Sequence, residues 1–447
     1  MLPRTLRLAV AIGVAIAALP AAAGDPFLRR TTTVQVVEKH GPAVVNITTE
    51  RIVRSANPFG RRGGDPFFDS FFRDFFVPRM PRTTKSLGSG VLIDADGHIL
   101  TNEHVVQRAN RIRVAIADGR EFDASLIGAD PNNDLAVLKV ETDEKLPWVA
   151  MSSSSDLMVG EPVIAIGNPF GLANTVTTGV ISATDRSIRT DVRVYHGFLQ
   201  TDASINPGNS GGPLLNAEGR LIAVNTAVHG GAQGIGFAIP IDVARRVVAE
   251  LIAHGEVTPV WLGLEFQDLT RELGASLGLD SETKGALVNR VRKDSPGARA
   301  GLERGDIVTH VDSHPVASAR AFFEILVTVT PRHAVAISFL RNRRPRTATV
   351  MAEEFPDELV EQLANEMLGI DLRRRGEGGF RVMGVRGGSG ADRIGIRVGD
   401  LVLSVNGRGL SDDEALRRSI LELRGRSRAL IVVQRGSGRY NVAVPLI

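Results

Sequence analysis

The residue pattern predicts a mostly β chain: a strand-rich unit of barrel or sandwich type, followed by two copies of a smaller domain. Three observations lead there. From about Val34 to Pro240, short β-type runs such as Ala43–Ile47, Gly90–Ile93, Arg111–Ile116 and Leu135–Val140 are broken by turn pairs including Asp96-Gly97 and Asp118-Gly119. The chain carries 47 glycines but only 5% aromatic residues, which favours turn-rich β structure over helical bundles. Finally, Ser295-Pro296-Gly297-Ala298-Arg299-Ala300-Gly301-Leu302, leading into Gly305-Asp306, recurs as Ser389-Gly390-Ala391-Asp392-Arg393-Ile394-Gly395-Ile396, leading into Gly399-Asp400. The offset, 399 minus 305, is 94 residues. That is a domain length, longer than the ~20–50 residues of a solenoid repeat.

Taken in order, the elements divide the chain at 1–23, 24–258, 259–354 and 355–447. Arg4 and Arg7 precede an apolar run from Leu8 to Leu19, then Pro20 and Ala21-Ala22-Ala23. This is the order of a secretory signal peptide, with cleavage expected after Ala23. The run falls short of the ~20 residues of a membrane span, which argues against an uncleaved anchor. No later segment is long and apolar enough to span. The Ser-rich stretch Met151 to Gly160 is expected to join two halves of the strand-rich unit. Val243, Val247, Val248 and Leu251 mark a closing helix over Ile241 to His254. A second helix, Asp357 to Met367, is expected to link the two repeats.

Composition narrows the chemistry. The 53 basic and 50 acidic residues leave a formal charge of only +3, so nothing general points to nucleic acid. Cysteine is absent, which rules out disulfides, thiolate catalysis and zinc–thiolate sites. No phosphate-cradling motif stands out, and no metal or cofactor is called for.

The sharpest local signal is Gly208-Asn209-Ser210-Gly211-Gly212-Pro213. A serine between glycines can sit on a tight turn with its hydroxyl presented. The same turn can aim the amides of Gly208, Asn209 and Ser210 at one point, as an oxyanion hole requires. An ordinary Gly-rich turn would look the same in isolation. Serine needs a base, and His104 ends the apolar run Ile99-Leu100-Thr101-Asn102-Glu103-His104. A lone histidine there is more often structural. The third partner is a carboxylate that orients the imidazole. Asp118, Asp123, Asp130, Asp134 and Asp143 all lie between His104 and Ser210. Asp134 is preferred because it directly precedes the apolar run Leu135 to Val140, whereas Asp130, beside Pro131, reads as a turn residue. The order His, Asp, Ser argues against an α/β-hydrolase, in which the serine comes first.

With these stretches the sequence resembles the HtrA family of serine proteases, in the DegP/DegQ branch. The resemblance rests on Gly88–Val91, Thr101–Val106, Asn133–Leu138, Ile166–Gly171, Gln200–Pro213 and Gly236–Pro240, and covers nearly the whole mature chain. It implies a chymotrypsin-like double β-barrel over 24–258 followed by two PDZ domains. It also implies an ATP-independent endopeptidase acting on unfolded proteins in the periplasm, with His104, Asp134 and Ser210 as its triad. Chaperone activity could coexist with cleavage.

Further expectations concern specificity and control. Ser204 stands where trypsin-like enzymes carry an aspartate, so a basic residue before the scissile bond would lack a counter-ion. Ile205 and Ile235-Gly236-Phe237 could line a modest apolar pocket, and the resemblance implies a preference for small aliphatic residues. Asn209 carries no charge to pair with a freed N-terminal amine, so activation by N-terminal cleavage is not expected. The loop 55–85 holds Phe59, Phe67, Phe68, Phe71, Phe72, Phe75 and Phe76, either folded onto its own domain or forming a subunit contact. The resemblance favours the contact, in assemblies built from trimers. Trp261-Leu262-Gly263-Leu264 matches the carboxylate-capturing loop of a PDZ domain. In the second copy the match is Leu368-Gly369-Ile370, a weaker one. The basic cluster Arg341, Arg343, Arg344 and Arg346 is expected on a solvated hairpin turn.

Overall fold

The computed structural model describes residues 29–52, 83–169, 173–189, 194–206, 208–228, 234–374, 378–424 and 426–446. The leader over 1–23 and all seven phenylalanines of the loop 55–85 lie outside these residues.

After helix α1 (Thr32–His40), six strands close the first barrel: β1 (Val44–Ile52), β2 (Thr83–Leu92), β3 (His98–Thr101), β4 (Arg111–Ala115), β5 (Glu121–Asp130) and β6 (Leu135–Val140), in the order β1-β2-β3-β6-β5-β4. A one-turn helix, α2 (Glu103–Val106), follows β3. Six more strands close the second: β7 (Pro162–Gly167), β8 (Thr175–Arg189), β9 (Val194–Thr201), β10 (Pro213–Asn216), β11 (Leu221–Val228) and β12 (Gly236–Pro240), in the order β10-β11-β12-β9-β8-β7. The expected barrel-or-sandwich pattern is thus resolved into two barrels.

The Ser-rich connector between them is tied to the helix that closes the unit. Asp242, in the first turn of α3 (Ile241–His254), accepts from the Ser154 amide at 2.8 Å and from the Ser153 and Ser154 hydroxyls at 3.0 Å. That helix has the bounds read from the sequence, and it packs on β5 and β6 of one barrel and β11 of the other. β6 is therefore covered on both faces, and Leu135 through Leu138 are fully buried. Burial of Leu135, Val137 and Leu138 contributes about 1.5–3 kcal/mol each.

Two smaller sheets follow. The first contains β14 (Leu264–Asp268), β15 (Ala286–Val291), β16 (Ile307–Val311), β18 (Ala334–Arg341) and β19 (Arg344–Met351) in that order, with β17 (His314–Pro315) on β16. The short β13 (Val260–Trp261) pairs with β20 (Glu353–Glu354). Helix α4 (Ala319–Leu326) packs against β14 and β15. The linker between the copies is a 3-10 turn, Asp357–Leu359, running into α5 (Val360–Leu368). The second copy orders β21 (Ile370–Arg374), β22 (Phe380–Val385), β23 (Leu401–Val405), β25 (Arg428–Arg435) and β26 (Gly438–Pro445), with β24 (Arg408–Gly409) on β23 and helix α6 at Asp413–Leu421.

The repeat is reproduced down to one ion pair. Arg341 donates to both oxygens of Asp306 at 2.7 Å and to the Gly301 carbonyl at 2.7 Å. Arg435 does the same with Asp400 at 2.7 Å and Gly395 at 2.8 Å. Arg341 therefore departs from the solvated cluster expected of it, because the aspartate beneath it is buried. Arg343, Arg344 and Arg346 are exposed on the hairpin, as expected.

Candidate active site

The site forms where the barrels meet. His104 sits in α2, just beyond the end of β3, and Asp134 in the turn entering β6. That turn is built by Asp130, which accepts from the Asn132 amide at 2.9 Å and from the Asn133 side chain at 2.5 Å. Asp134 itself adopts φ +53°, a left-handed conformation that costs about 1–3 kcal/mol in a non-glycine residue. Its carbonyl is held by the Asn102 side chain at 3.0 Å. The strained turn aims the carboxylate at the histidine: both oxygens lie 2.8 Å from His104 Nδ1, and one also accepts the His104 amide at 3.1 Å.

Ser210 comes from the second barrel, in the turn before β10. Its carbonyl accepts from the Ser89 amide of β2 at 2.9 Å, which ties the nucleophile turn to the first barrel. The Ser89 hydroxyl donates to the Gly208 carbonyl and accepts from the Asn168 amide. Gly211 has φ +82°, and a Cβ there would lie 2.2 Å from the Ser89 carbonyl oxygen and 2.4 Å from Thr101 Oγ1. Only glycine lets the two barrels approach this closely.

Thr226, on β11, joins Asp134 to Ser210. Its hydroxyl donates to Asp134 at 2.6 Å, and its carbonyl accepts the Ser210 hydroxyl at 2.7 Å. Thr226 was not among the residues read from the sequence. A threonine in an apolar strand carries no local mark of such a bond.

The structure sorts the remaining candidates. The Asn209 amide donates to the Asn206 carbonyl at 3.1 Å, so it is spent on the turn and is not an oxyanion donor here. Its side chain bridges the Ser204 carbonyl and the Asn206 amide, both at 2.9 Å. Ile205 and Gly236 come together: a Cβ on Gly236 would lie 2.5 Å from Ile205 Cγ1. Phe237 instead packs into the main apolar core, on the opposite side of the strand from Gly236, and Ile235, half-buried, packs against that core.

In the first repeat, the carbonyls of Leu262 and Gly263 accept from Gly297 and Arg292 amides, both at 2.8 Å. Gly263 has φ +72°, and a Cβ there would collide with Ser295 Cβ at 2.1 Å. In the second, Gly369 caps α5, with its amide donating to Asn365 at 2.9 Å. Asp94, Asp96 and His98 stand within metal-ligand spacing of one another. The Asp94 carboxylate is already engaged by the His98 ring at 2.7 Å and by the Asp96 and His98 amides at 3.0 Å, which close the β2–β3 hairpin.

Comparison with known proteins decides the family. A trypsin-like peptidase domain model matches residues 88–224, and a PDZ domain model matches 260–351 and 367–446. A probable periplasmic serine endoprotease, DegP-like, from Halomonas elongata is 41% identical over 441 residues, covering 92% of each chain. The chain belongs to the HtrA family of serine endoproteases. A DegP-like relative in Chlamydia pneumoniae shares 38% identity over 430 residues, covering 90% of this chain and 87% of the relative. The solved structure of the HtrA-type protease AlgW with a decapeptide is 40% identical, with TM-score 0.50, and the match covers 72% of this chain and 99% of that one. Among the described residues of this HtrA protease, no helix is long and apolar enough to cross a membrane.

Proposed function

We propose that this HtrA protease hydrolyses internal peptide bonds of unfolded polypeptides in the periplasm, with Ser210 as nucleophile, His104 as base and Asp134 as orienter. The observation that carries the reading is the double 2.8 Å contact between His104 Nδ1 and Asp134, with Thr226 bracing the same carboxylate. It sets the tautomer, so Nε2 is the atom that takes the serine proton and later delivers it to the leaving amine. The amides of Gly208 and Ser210 are the proposed oxyanion donors. Water then releases the acyl-enzyme.

Ser210 is fully buried with its hydroxyl bonded to Thr226. Attack requires that hydroxyl to leave the carbonyl and turn to His104, which makes this a resting arrangement. Ile205 against Gly236 supports a shallow apolar specificity pocket above Ser204. Self-association in multiples of three, through the loop 55–85, completes the reading.

Incubating unfolded casein with the protein and with its Ser210→Ala form tests it. Cleavage by the first and none by the second is expected, with a fluorophosphonate probe labelling only the first. If both leave casein whole while preventing its aggregation, the chain acts as a chaperone and the proteolytic reading fails.

A further inference from the structure

The first PDZ unit borrows a charge from the second. Arg424 lies just beyond α6, yet its Nη1 donates to the Val260 carbonyl at 3.0 Å. Val260 directly precedes the loop Trp261–Leu264. The guanidinium carbon sits 5.8 Å from the ring centre of Phe323 on α4 and 5.5 Å from that of Phe355. Its Nε donates to the Leu421 carbonyl at 3.3 Å. These partners are neutral carbonyls and aromatic faces.

Nearby arginines are balanced differently. Arg292 pairs with Glu265 and Glu366, Arg417 with Asp357 and Glu414, and Arg418 with Glu256 and Glu414. Among the described residues no carboxylate stands within ion-pair distance of Arg424. Its exposed area is that of a partly buried residue. Loss of solvent alone pulls the pKa of its guanidinium down to about 10. Burying a cation without a counter-ion is costly, and an arriving anion relieves that cost.

The loop beside it is shaped for one. Its Leu262 and Gly263 carbonyls are taken up by the amides of Gly297 and Arg292 in its own domain, so carbonyl oxygens there do not compete for an anion. β14 is an edge strand, open to addition of an extended peptide. The second unit has spent its equivalent Gly369 amide on capping α5, so its own loop is poorly suited to an anion.

We infer that Arg424 of the second PDZ unit is the counter-ion for the terminal carboxylate of a peptide captured by the first. The inference rests on peptide binding at the first unit, and it makes that binding depend on how the two units are docked.

The test uses the full Ser210→Ala chain and a fluorescent ten-residue peptide ending in valine, as free acid and as C-terminal amide. The acid should bind at least tenfold more tightly than the amide. Adding Arg424→Gln should weaken acid binding about tenfold and leave the amide unchanged, and Arg424→Lys should recover part of the loss. Arg424→Met keeps the stem over the two rings and should behave like the glutamine form. If the substitutions unfold the second unit, the parent chain still decides: the acid, not the amide, should raise the melting temperature of that unit. Equal loss for acid and amide, or no loss, overturns the role of Arg424. Failure of both peptides to bind the parent overturns the first unit as a peptide site instead.

Discussion

At the scale of the residue, Thr226 holds both ends of the proposed triad, through its hydroxyl to Asp134 and its carbonyl to Ser210. Thr226→Val removes the first bond and keeps the second. A hydrogen bond to a charged group contributes roughly 1.5–3 kcal/mol. We expect kcat to fall about tenfold to a hundredfold with KM little changed, read with a chromogenic peptide substrate. Asp134→Asn should cost about 10⁴ in kcat, since the amide favours the wrong tautomer. Gly211→Ala should be worse than either for folding. It places a methyl 2.2 Å from the Ser89 carbonyl at a backbone angle that alanine avoids, so a lowered melting temperature and lost activity should appear together. His104, Asp134 and Ser210 could be named as candidates from the sequence because the stretches around them, taken together, form a distinctive set. Thr226 could not, because its partner is 92 residues away in the chain.

At the scale of the element, the recurring Arg341–Asp306 and Arg435–Asp400 pairs hold each hairpin onto the turn that starts its neighbouring strand. Both aspartates are buried, and the Arg435 bond holds the Asp400 carboxyl below its ordinary range. The Arg341 side chain is 17% exposed and that of Arg435 is 42% exposed. Replacing either arginine by methionine leaves a buried carboxylate without its guanidinium. Urea unfolding should show a lower midpoint in both variants, with the larger drop for Arg341→Met, where water can compensate less. Equal midpoints for parent and variants would show the pairs to be idle. The helix over Ile241–His254 was legible from its apolar spacing. The weaker match in the second PDZ unit has a local counterpart: α5 runs directly into it, and the cap uses the Gly369 amide.

At the scale of the whole molecule, the second barrel meets the first PDZ unit through stacked imidazoles. His196 on β9 and His314 on β17 have ring centres 4.7 Å apart. Asp185 and Glu324 are the acidic groups near them, and the Ser187 hydroxyl bonds the His196 ring at 2.9 Å. Burial, reinforced by His314, pulls His196 down to about 4 from an ordinary value near 6.5. Undocked, His196 takes up a proton near pH 6.5; docked, it resists until about pH 4. Docking is therefore undisturbed above pH about 6.5 and weakens progressively as the pH falls toward 4. Hydrogen exchange in β9 should accelerate across that window, and His196→Gln should flatten the response. An equal slope in the variant would assign the effect elsewhere.

The sequence alone determined the strand-rich class, the duplication, and the three catalytic candidates in their order, because turn glycines, apolar alternation and short motifs are local properties of the chain. It also narrowed five aspartates to Asp134 by the apolar run that follows. Tertiary structure decided what depends on distant atoms meeting. It closed two barrels rather than a sandwich, engaged the Asn209 amide in its own turn, and turned Phe237 into the core. It also brought Thr226 to Asp134 and set Arg424 of one PDZ unit against the Val260 carbonyl of the other. Such contacts follow from packing between segments far apart in the chain, and no window of residues carries them.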